Sequence, residues 1–401
     1  MLADRQNEPN KLATNTAQII GGERVRVDWP LITNIPSLEI LYNQGVTYAQ
    51  SGNFERAITI FRQCLEPMTR KYGAIHPYNS ELYSNLALMY ASIGMLVEAV
   101  NHFKVALYVR SKTSDRNIRK TIDLYEGLGE VYSRMGDYQN AIFYFDTGFC
   151  YAAKTFGLED FRTIQLLTGV AKTLHNLHLY DEALRCYHQI LRAGKQFTAT
   201  GLTVADIHYN MALTYHANSE LHQALKFLHK ALKSYNTNLE ENHSKIPNVL
   251  NNLSVIYMEL GDLEKARSYL RHSLARQRRH FGGEDMRVTD SLRNLGILYW
   301  RTGRWVRALM SFKRALRITE GSRGLYHFDT GELYAMVAWA WMVIGNRMVA
   351  RKLMRRSRDI LEAVVGRDHV LSLRVASWMD ELTFGARNKV YRQRTSRTWR
   401  H

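Results

Sequence analysis

The sequence predicts an all-α fold in which one helix–turn–helix unit is repeated eight times. Alanines recur every 41 or 42 residues, a small residue stands twelve positions before each of them, and a glycine marks most of the turns between. A fixed period of this length is typical of stacked repeats that share a continuous core. The alanines are Ala57, Ala99, Ala141, Ala183, Ala224, Ala266, Ala308 and Ala350.

Each repeat has the pattern of two amphipathic helices, with apolar residues three and four positions apart on either side of the turn. Helices cross closely only where side chains are small, so we expect the small residue of the first helix to meet the alanine of the second. Bulky residues beside both positions would fill the remaining space. The small residues are Gly45, Ala87, Gly129, Ala171, Ala212, Ser254, Gly296 and Ala338.

The pattern divides the chain into four segments. Residues 1–37 contain no repeat and three prolines, which predicts a loose N-terminal leader, and residues 38–368 hold the eight repeats. Residues 369–384 are apolar at helical spacing, which predicts a capping helix over the last repeat. Residues 385–401 contain no acid and predict a basic C-terminal tail.

Composition excludes several classes of protein. No apolar run approaches the ~18 residues of a membrane span, and no signal peptide is evident. We therefore expect a cytoplasmic protein, with an organelle matrix or the nucleus left open. No phosphate-binding loop, nucleophile elbow or metal-ligand spacing is present, so we predict no catalytic residue, no metal and no cofactor. The three cysteines fall in second helices and are expected to be buried, reduced thiols.

Two repeats carry the fullest motif. Residues 125–132 read YEGLGEVY and are followed by Gly136, Ala141 and Phe145, while residues 294–299 read NLGILY. This pattern resembles the tetratricopeptide repeat, and the 42-residue period with the linker GAIHP at residues 73–77 resembles its kinesin light chain subgroup. The resemblance implies a right-handed superhelix, an α-solenoid, whose first helices line a concave groove. No heptad region that could grip a motor protein precedes the repeats.

Asparagine stands two residues before the small residue in five of the eight repeats. Its amide offers a donor and an acceptor together, which suits it to hold the main chain of an extended peptide. The column resembles the asparagine ladders of O-GlcNAc transferase and kinesin light chains. The alternative is that these amides join neighbouring helices. The residues are Asn43, Asn85, Asn210, Asn252 and Asn294.

Further candidates for the peptide-binding groove change in character along the chain. Glu130, Arg134 and Lys172 lie in the third and fourth repeats. The last two repeats hold Arg293, Trp300, Arg301 and Trp339, which predict a pocket for a partner segment that combines acidic and aromatic residues. The alternative is that these rings are packing residues.

Positive charge concentrates near the C-terminus. Residues 301–401 carry a net +13 of the total +17, so this third could attract a polyanion such as RNA, an acidic protein or an anionic lipid surface. The basic residues singled out are Arg351, Lys352, Arg355, Arg356, Arg387, Lys389, Arg392 and Arg394.

Two functions follow from these patterns. The first is a non-enzymatic scaffold or adaptor that binds an extended peptide or protein partner in its groove and mediates protein–protein interaction or complex assembly. The alternative is a structural subunit of a large ribonucleoprotein or organellar assembly, docked through the basic C-terminal third.

Overall fold

The computed structural model describes residues 17–20, 23–26, 36–113, 117–193, 201–240 and 243–384. They fall into two compact units, residues 1–199 and residues 200–401. In both units helices follow one another in pairs, and we call the first helix of a pair the A helix and the second the B helix. The all-α repeat fold predicted from the sequence is confirmed.

The first unit begins with a short antiparallel hairpin that the sequence analysis did not anticipate, in which Ala17 of β1 pairs with Arg26 of β2. Four helix pairs follow it. The elements are β1 Ala17–Ile20, β2 Glu23–Arg26, α1 Pro36–Gln50, α2 Phe54–Tyr72, α3 Pro77–Ser92, α4 Leu96–Lys112, α5 Ile118–Met135, α6 Tyr138–Phe156, α7 Phe161–Asn176 and α8 Tyr180–Ala193.

The second unit holds four further pairs and a final helix, with one 3₁₀ turn at Met286–Val288 before α13. The elements are α9 Gly201–Ala217, α10 Leu221–Asn238, α11 Lys245–Glu259, α12 Leu263–Phe281, α13 Thr289–Arg301, α14 Trp305–Arg323, α15 Phe328–Ile344, α16 Arg347–Val365 and α17 Val370–Phe384.

The turn inside each pair has a local cause in the sequence. Gly136 ends α5 in the left-handed conformation at φ 78°, where a residue without Cβ carries no steric penalty. His178 and Ser219 adopt the same conformation at φ 62° and 64°, at the two turns where the glycine is missing. Asp137 then caps α6, since its carboxylate accepts a hydrogen bond from the Asn140 backbone N–H at 3.2 Å.

The helix crossings follow the two columns of small residues. All eight repeat alanines are fully buried. A Cβ placed on Gly129 would lie 2.7 Å from the Phe145 ring, and one on Gly296 would lie 2.4 Å from the Phe312 ring. Glycine is therefore required where the ring of the B helix lies directly on the A helix.

The cysteines differ in exposure, which corrects one expectation. Cys64 is buried, and its burial raises the pKa of the thiol to about 11. Cys186 is half-buried, whereas Cys150 is exposed on α6.

Candidate functional site

The asparagine column is continuous on three successive A helices of the second unit. Asn210 lies on α9, Asn252 on α11 and Asn294 on α13, and all three side chains are half-buried. They occupy the same register because each stands two positions before the small residue at the helix crossing. Three polar amides therefore line one face at equivalent positions.

One amide of this column is held by a neighbouring helix. Asn252 Nδ2 donates a hydrogen bond to Tyr209 Oη at 2.9 Å, which joins α11 to α9. The bond fixes the amide orientation and leaves one N–H and the Oδ1 oxygen of Asn252 for other partners. Within the described part of the chain, the amides of Asn210 and Asn294 make no hydrogen bond.

In the first unit, Asn85 of this column is buried and joins two helices. Asn85 is only 5% exposed, and its Nδ2 donates to Tyr42 Oη at 2.6 Å. Tyr42 is itself buried, and that burial raises the pKa of its hydroxyl above the ordinary value. For Asn85 the structure therefore supports the alternative interpretation, a bond between neighbouring helices. Asn43 on α1 is exposed.

Steric contacts explain why the column is interrupted at the other repeats. A Cβ on Gly127 would lie 2.5 Å from the Phe103 ring, and one on Gly169 would lie 2.6 Å from the Phe145 ring. Met336, at the same register in α15, is buried in the core. At the two glycine positions no asparagine fits without displacing an aromatic ring, and at Met336 it would place a polar amide in the core.

Beside the asparagines of the second unit runs a stripe of half-buried apolar residues. Leu213, Val255 and Ile297 each stand three positions after an asparagine, on the same helix face. The face thus offers amide groups and apolar surface side by side.

Polar and charged groups border this stripe one turn further along. His216 Nε2 lies 3.0 Å from the Glu259 carboxylate, and Arg301 Nη1 donates to the Met258 carbonyl at 2.6 Å. Arg301 is exposed at the edge of this face. Its position is compatible with the peptide-binding role that the sequence predicted for it.

The two tryptophans predicted to line the groove lie in the core. Trp300 is 7% exposed and Trp339 is 2% exposed. Trp339 packs against Trp378 of α17 with ring centroids 5.0 Å apart, and Trp300 packs against Trp305 at 4.7 Å. The expected aromatic-and-arginine pocket is therefore corrected, because these rings pack against one another and against α17 and cannot receive a ligand.

Arg293 is likewise engaged within the protein. Its guanidinium donates to the carboxylates of Glu332 and Asp290, both at 2.9 Å. Burial disfavours the charged form, yet the two acids hold the pKa of Arg293 above its ordinary range. An inter-repeat ion pair replaces the ligand contact that the sequence suggested.

The remaining predicted residues are spread over both units. Glu130 and Lys172 are half-buried in the first unit, and Arg134 is exposed in the last turn of α5. Four predicted basic residues of the second unit, Arg351, Lys352, Arg355 and Arg356, are exposed on α16. Arg387, Lys389, Arg392 and Arg394 lie outside the described residues.

Sequence reasoning missed Tyr42 and Tyr209, the hydroxyls that bind the asparagine column. A usable signal was present, because each tyrosine directly precedes an asparagine of the column and lies 43 residues before the asparagine it binds.

Among the helices described, none is both long and apolar enough to cross a membrane.

Paired helices repeated around fully buried alanines define a repeat protein of the α-solenoid class. The tetratricopeptide repeat family model matches residues 37–112, 203–279 and 245–321, and a second tetratricopeptide model matches residues 122–148. These matches span more than half of the chain, which therefore belongs to the tetratricopeptide repeat family. Its repeats form a fold that generally serves as a non-catalytic scaffold for protein–protein interaction.

Several solved structures share the fold. A signal transduction ATPase with a tetratricopeptide repeat sensor from Pyrococcus horikoshii is 15% identical, with a TM-score of 0.58, over 88% of this chain and 50% of that chain. A Rap protein complexed with Competence and Sporulation Factor is 15% identical, with a TM-score of 0.51, over 82% and 98%.

The TPR-like repeats of a Podosopora anserina protein assigned as a kinesin light chain are 18% identical, with a TM-score of 0.46, over 52% and 100%. No curated protein sequence matches the chain.

Proposed function

We propose that this protein is a scaffold or adaptor that binds an extended segment of a protein partner on the face formed by α9, α11 and α13. The observation that carries the proposal is the column of three half-buried asparagines, Asn210, Asn252 and Asn294, on consecutive A helices. We call this surface the asparagine face. It comprises those three residues and the apolar stripe beside them.

The chemistry of the face suits a peptide main chain. A main chain presents N–H donors and C=O acceptors whatever its sequence, and an amide side chain complements both. Packed helices lie about 8–10 Å apart, which corresponds to about three residues of extended chain at ~3.3 Å each. Each asparagine can then meet one peptide group of a bound segment.

The Asn252–Tyr209 bond favours binding because it orients the central amide before a partner arrives. A side chain already held in its bound conformation loses less conformational entropy on binding. Asn252 keeps one N–H and Oδ1 for the ligand while Tyr209 accepts the other N–H.

The apolar stripe gives the face a preference among partner segments. Leu213, Val255 and Ile297 present half-buried surface next to the amides, so a segment with large apolar side chains at regular intervals would bury area there. The Rap protein, which shares this fold, was solved in complex with Competence and Sporulation Factor. A fold of this kind can therefore hold a partner.

The test is a triple variant, Asn210→Ala, Asn252→Ala and Asn294→Ala, compared with the wild-type protein. Peptides selected from a displayed random library against the wild type should bind the variant about 1.5–4.5 kcal/mol more weakly, since each hydrogen bond contributes about 0.5–1.5 kcal/mol. The helical circular dichroism should not change, because no asparagine of the triple is fully buried.

The matched control replaces two exposed asparagines elsewhere, Asn101→Ala on α4 and Asn176→Ala on α7. These changes should leave peptide affinity as in the wild type. Equal affinities for the triple variant and the wild type would overturn the proposal.

A further inference from the structure

The outer face of the last two B helices exposes large apolar side chains. Val306 and Met310 on α14 are 61% and 66% exposed, and Met348 on α16 is 86% exposed. Exposed apolar residues that form a patch, rather than standing singly, mark interaction sites.

These residues lie on the sides of α14 and α16 that point away from the core. Val306 and Met310 are one turn apart on α14, where the intervening Ala308 and Leu309 are buried. Met348 and Lys352 have the same spacing on α16. An ion pair of 3.9 Å between Arg356 of α16 and Glu320 of α14 links the two helices.

The two segments that carry these apolar residues are rich in cations and contain no acid. Residues 301–319 and 343–358 contain no Asp or Glu. Four of these cations are exposed and form neither an ion pair nor a ring contact with any described residue, whereas Arg314 and Arg317 on the same helix are both held by Glu284. The four are Arg304, Arg347, Lys352 and Arg355.

We propose that this surface is a second docking site, which binds a protein segment that carries acidic residues together with large apolar side chains. We define it as the basic-apolar face: Val306, Met310 and Met348 with Arg304, Arg347, Lys352 and Arg355. Carboxylates of the partner meet the four cations, and its apolar side chains cover the valine and the methionines.

The apolar residues decide between a protein and a nucleic acid. A phosphate backbone is recognised by cations and hydrogen-bond donors and gains nothing from exposed methionine. An amphipathic acidic segment uses both the cations and the apolar residues of the face. Its carboxylates meet the cations, and its apolar side chains contact the methionines, which are flexible and polarizable. The basic-apolar face lies on B helices and the asparagine face on A helices, so the two sites are tested independently.

The experiment uses a fluorescein-labelled peptide with leucines at positions i and i+4 among glutamates, titrated with the full-length protein by fluorescence anisotropy. Two variants separate the contributions: Met310→Gln with Met348→Gln, and Arg347→Ser with Lys352→Ser. Each double variant should bind the peptide about tenfold more weakly than the wild type, because the peptide uses both the apolar and the charged contacts. Circular dichroism of these surface variants should match the wild type.

A matched control removes exposed apolar residues where no basic cluster stands, by Val97→Gln and Val105→Gln on α4. This variant should bind the peptide with wild-type affinity. The same peptide with serine in place of leucine, and an oligouridylate of equal charge, should each bind about tenfold more weakly than the leucine peptide.

Two results would overturn the proposal. One is unchanged affinity of the methionine variant, which would leave charge alone as the determinant. The other is oligouridylate binding as tightly as the leucine peptide, which would identify the face as a polyanion site of the kind expected in a ribonucleoprotein subunit.

Discussion

The Asn252 amide donates a hydrogen bond to the Tyr209 hydroxyl at 2.9 Å across two successive A helices. The equivalent pair in the other unit, Asn85 and Tyr42, forms the same bond at 2.6 Å but is buried. Both bonds join neighbouring A helices. We propose that the half-buried Asn252, unlike the buried Asn85, also retains groups for a partner.

The difference in burial predicts a difference in stability. Asn85→Ala removes the amide N–H that donates to the buried Tyr42 hydroxyl, and we expect it to lower the free energy of unfolding by about 1–3 kcal/mol. Asn252→Ala should cost under about 1 kcal/mol, because water can reach the half-buried Tyr209 hydroxyl. Urea denaturation of both variants measures the contrast, and equal losses would contradict it.

Restoring asparagine where the column is interrupted should damage the fold. Gly169→Asn places a Cβ 2.6 Å from the Phe145 ring, so we expect a loss of about 1–3 kcal/mol. Adding Phe145→Leu should recover part of that loss by making room for the new side chain. If Gly169→Asn alone proved as stable as the wild type, the steric explanation of the interruption would fail.

The repeat alanines should not tolerate larger residues. Ala308→Leu inserts a side chain into a fully buried helix crossing, and we expect destabilisation of about 1–3 kcal/mol. Ala217→Leu, at an exposed position on α9, is the matched control and should change stability by less than about 0.5 kcal/mol. Thermal unfolding followed by circular dichroism distinguishes the two.

Stability should also depend on pH through His208. Burial, together with the charge of Lys230, lowers the pKa of His208 from 6.5 to about 4. Between these values the unfolded chain binds a proton that the folded protein does not, so stability rises with pH and is lost as pH falls from 6.5 towards 4. His208→Gln cannot titrate and should show a shallower loss between pH 7 and pH 5 in urea denaturation; identical slopes would contradict the assignment.

The crossings could be predicted from sequence because their cause is local. Ala141 and Gly129 must be small whatever lies beyond their own repeat, since the two helices of the pair approach closely there. The period of these residues predicts the eight helix pairs and their order.

The placement of the tryptophans could not be predicted in the same way. Trp339 lies on an A helix at the register that is half-buried at Leu213, Val255 and Ile297, and it is buried because it packs against Trp378 of α17. Likewise Asn85 and Asn252 share one sequence column, and only the packing around each determines which is buried. The basis of these differences is tertiary, so a pattern of single residues does not contain it.

Backbone N-methylation tests whether the asparagine face holds the main chain of a bound segment. A peptide selected against the wild type is synthesised with one main-chain N–H at a time replaced by N-methyl, and its affinities for the wild type and for the triple asparagine variant are measured by titration calorimetry. We predict that at least one N-methyl group weakens wild-type binding about tenfold and has little effect on binding to the variant. The variant already lacks the asparagine oxygen that would accept a hydrogen bond from that main-chain N–H. Equal losses in both proteins, or no loss in either, would show that these asparagines do not hold the main chain of the segment.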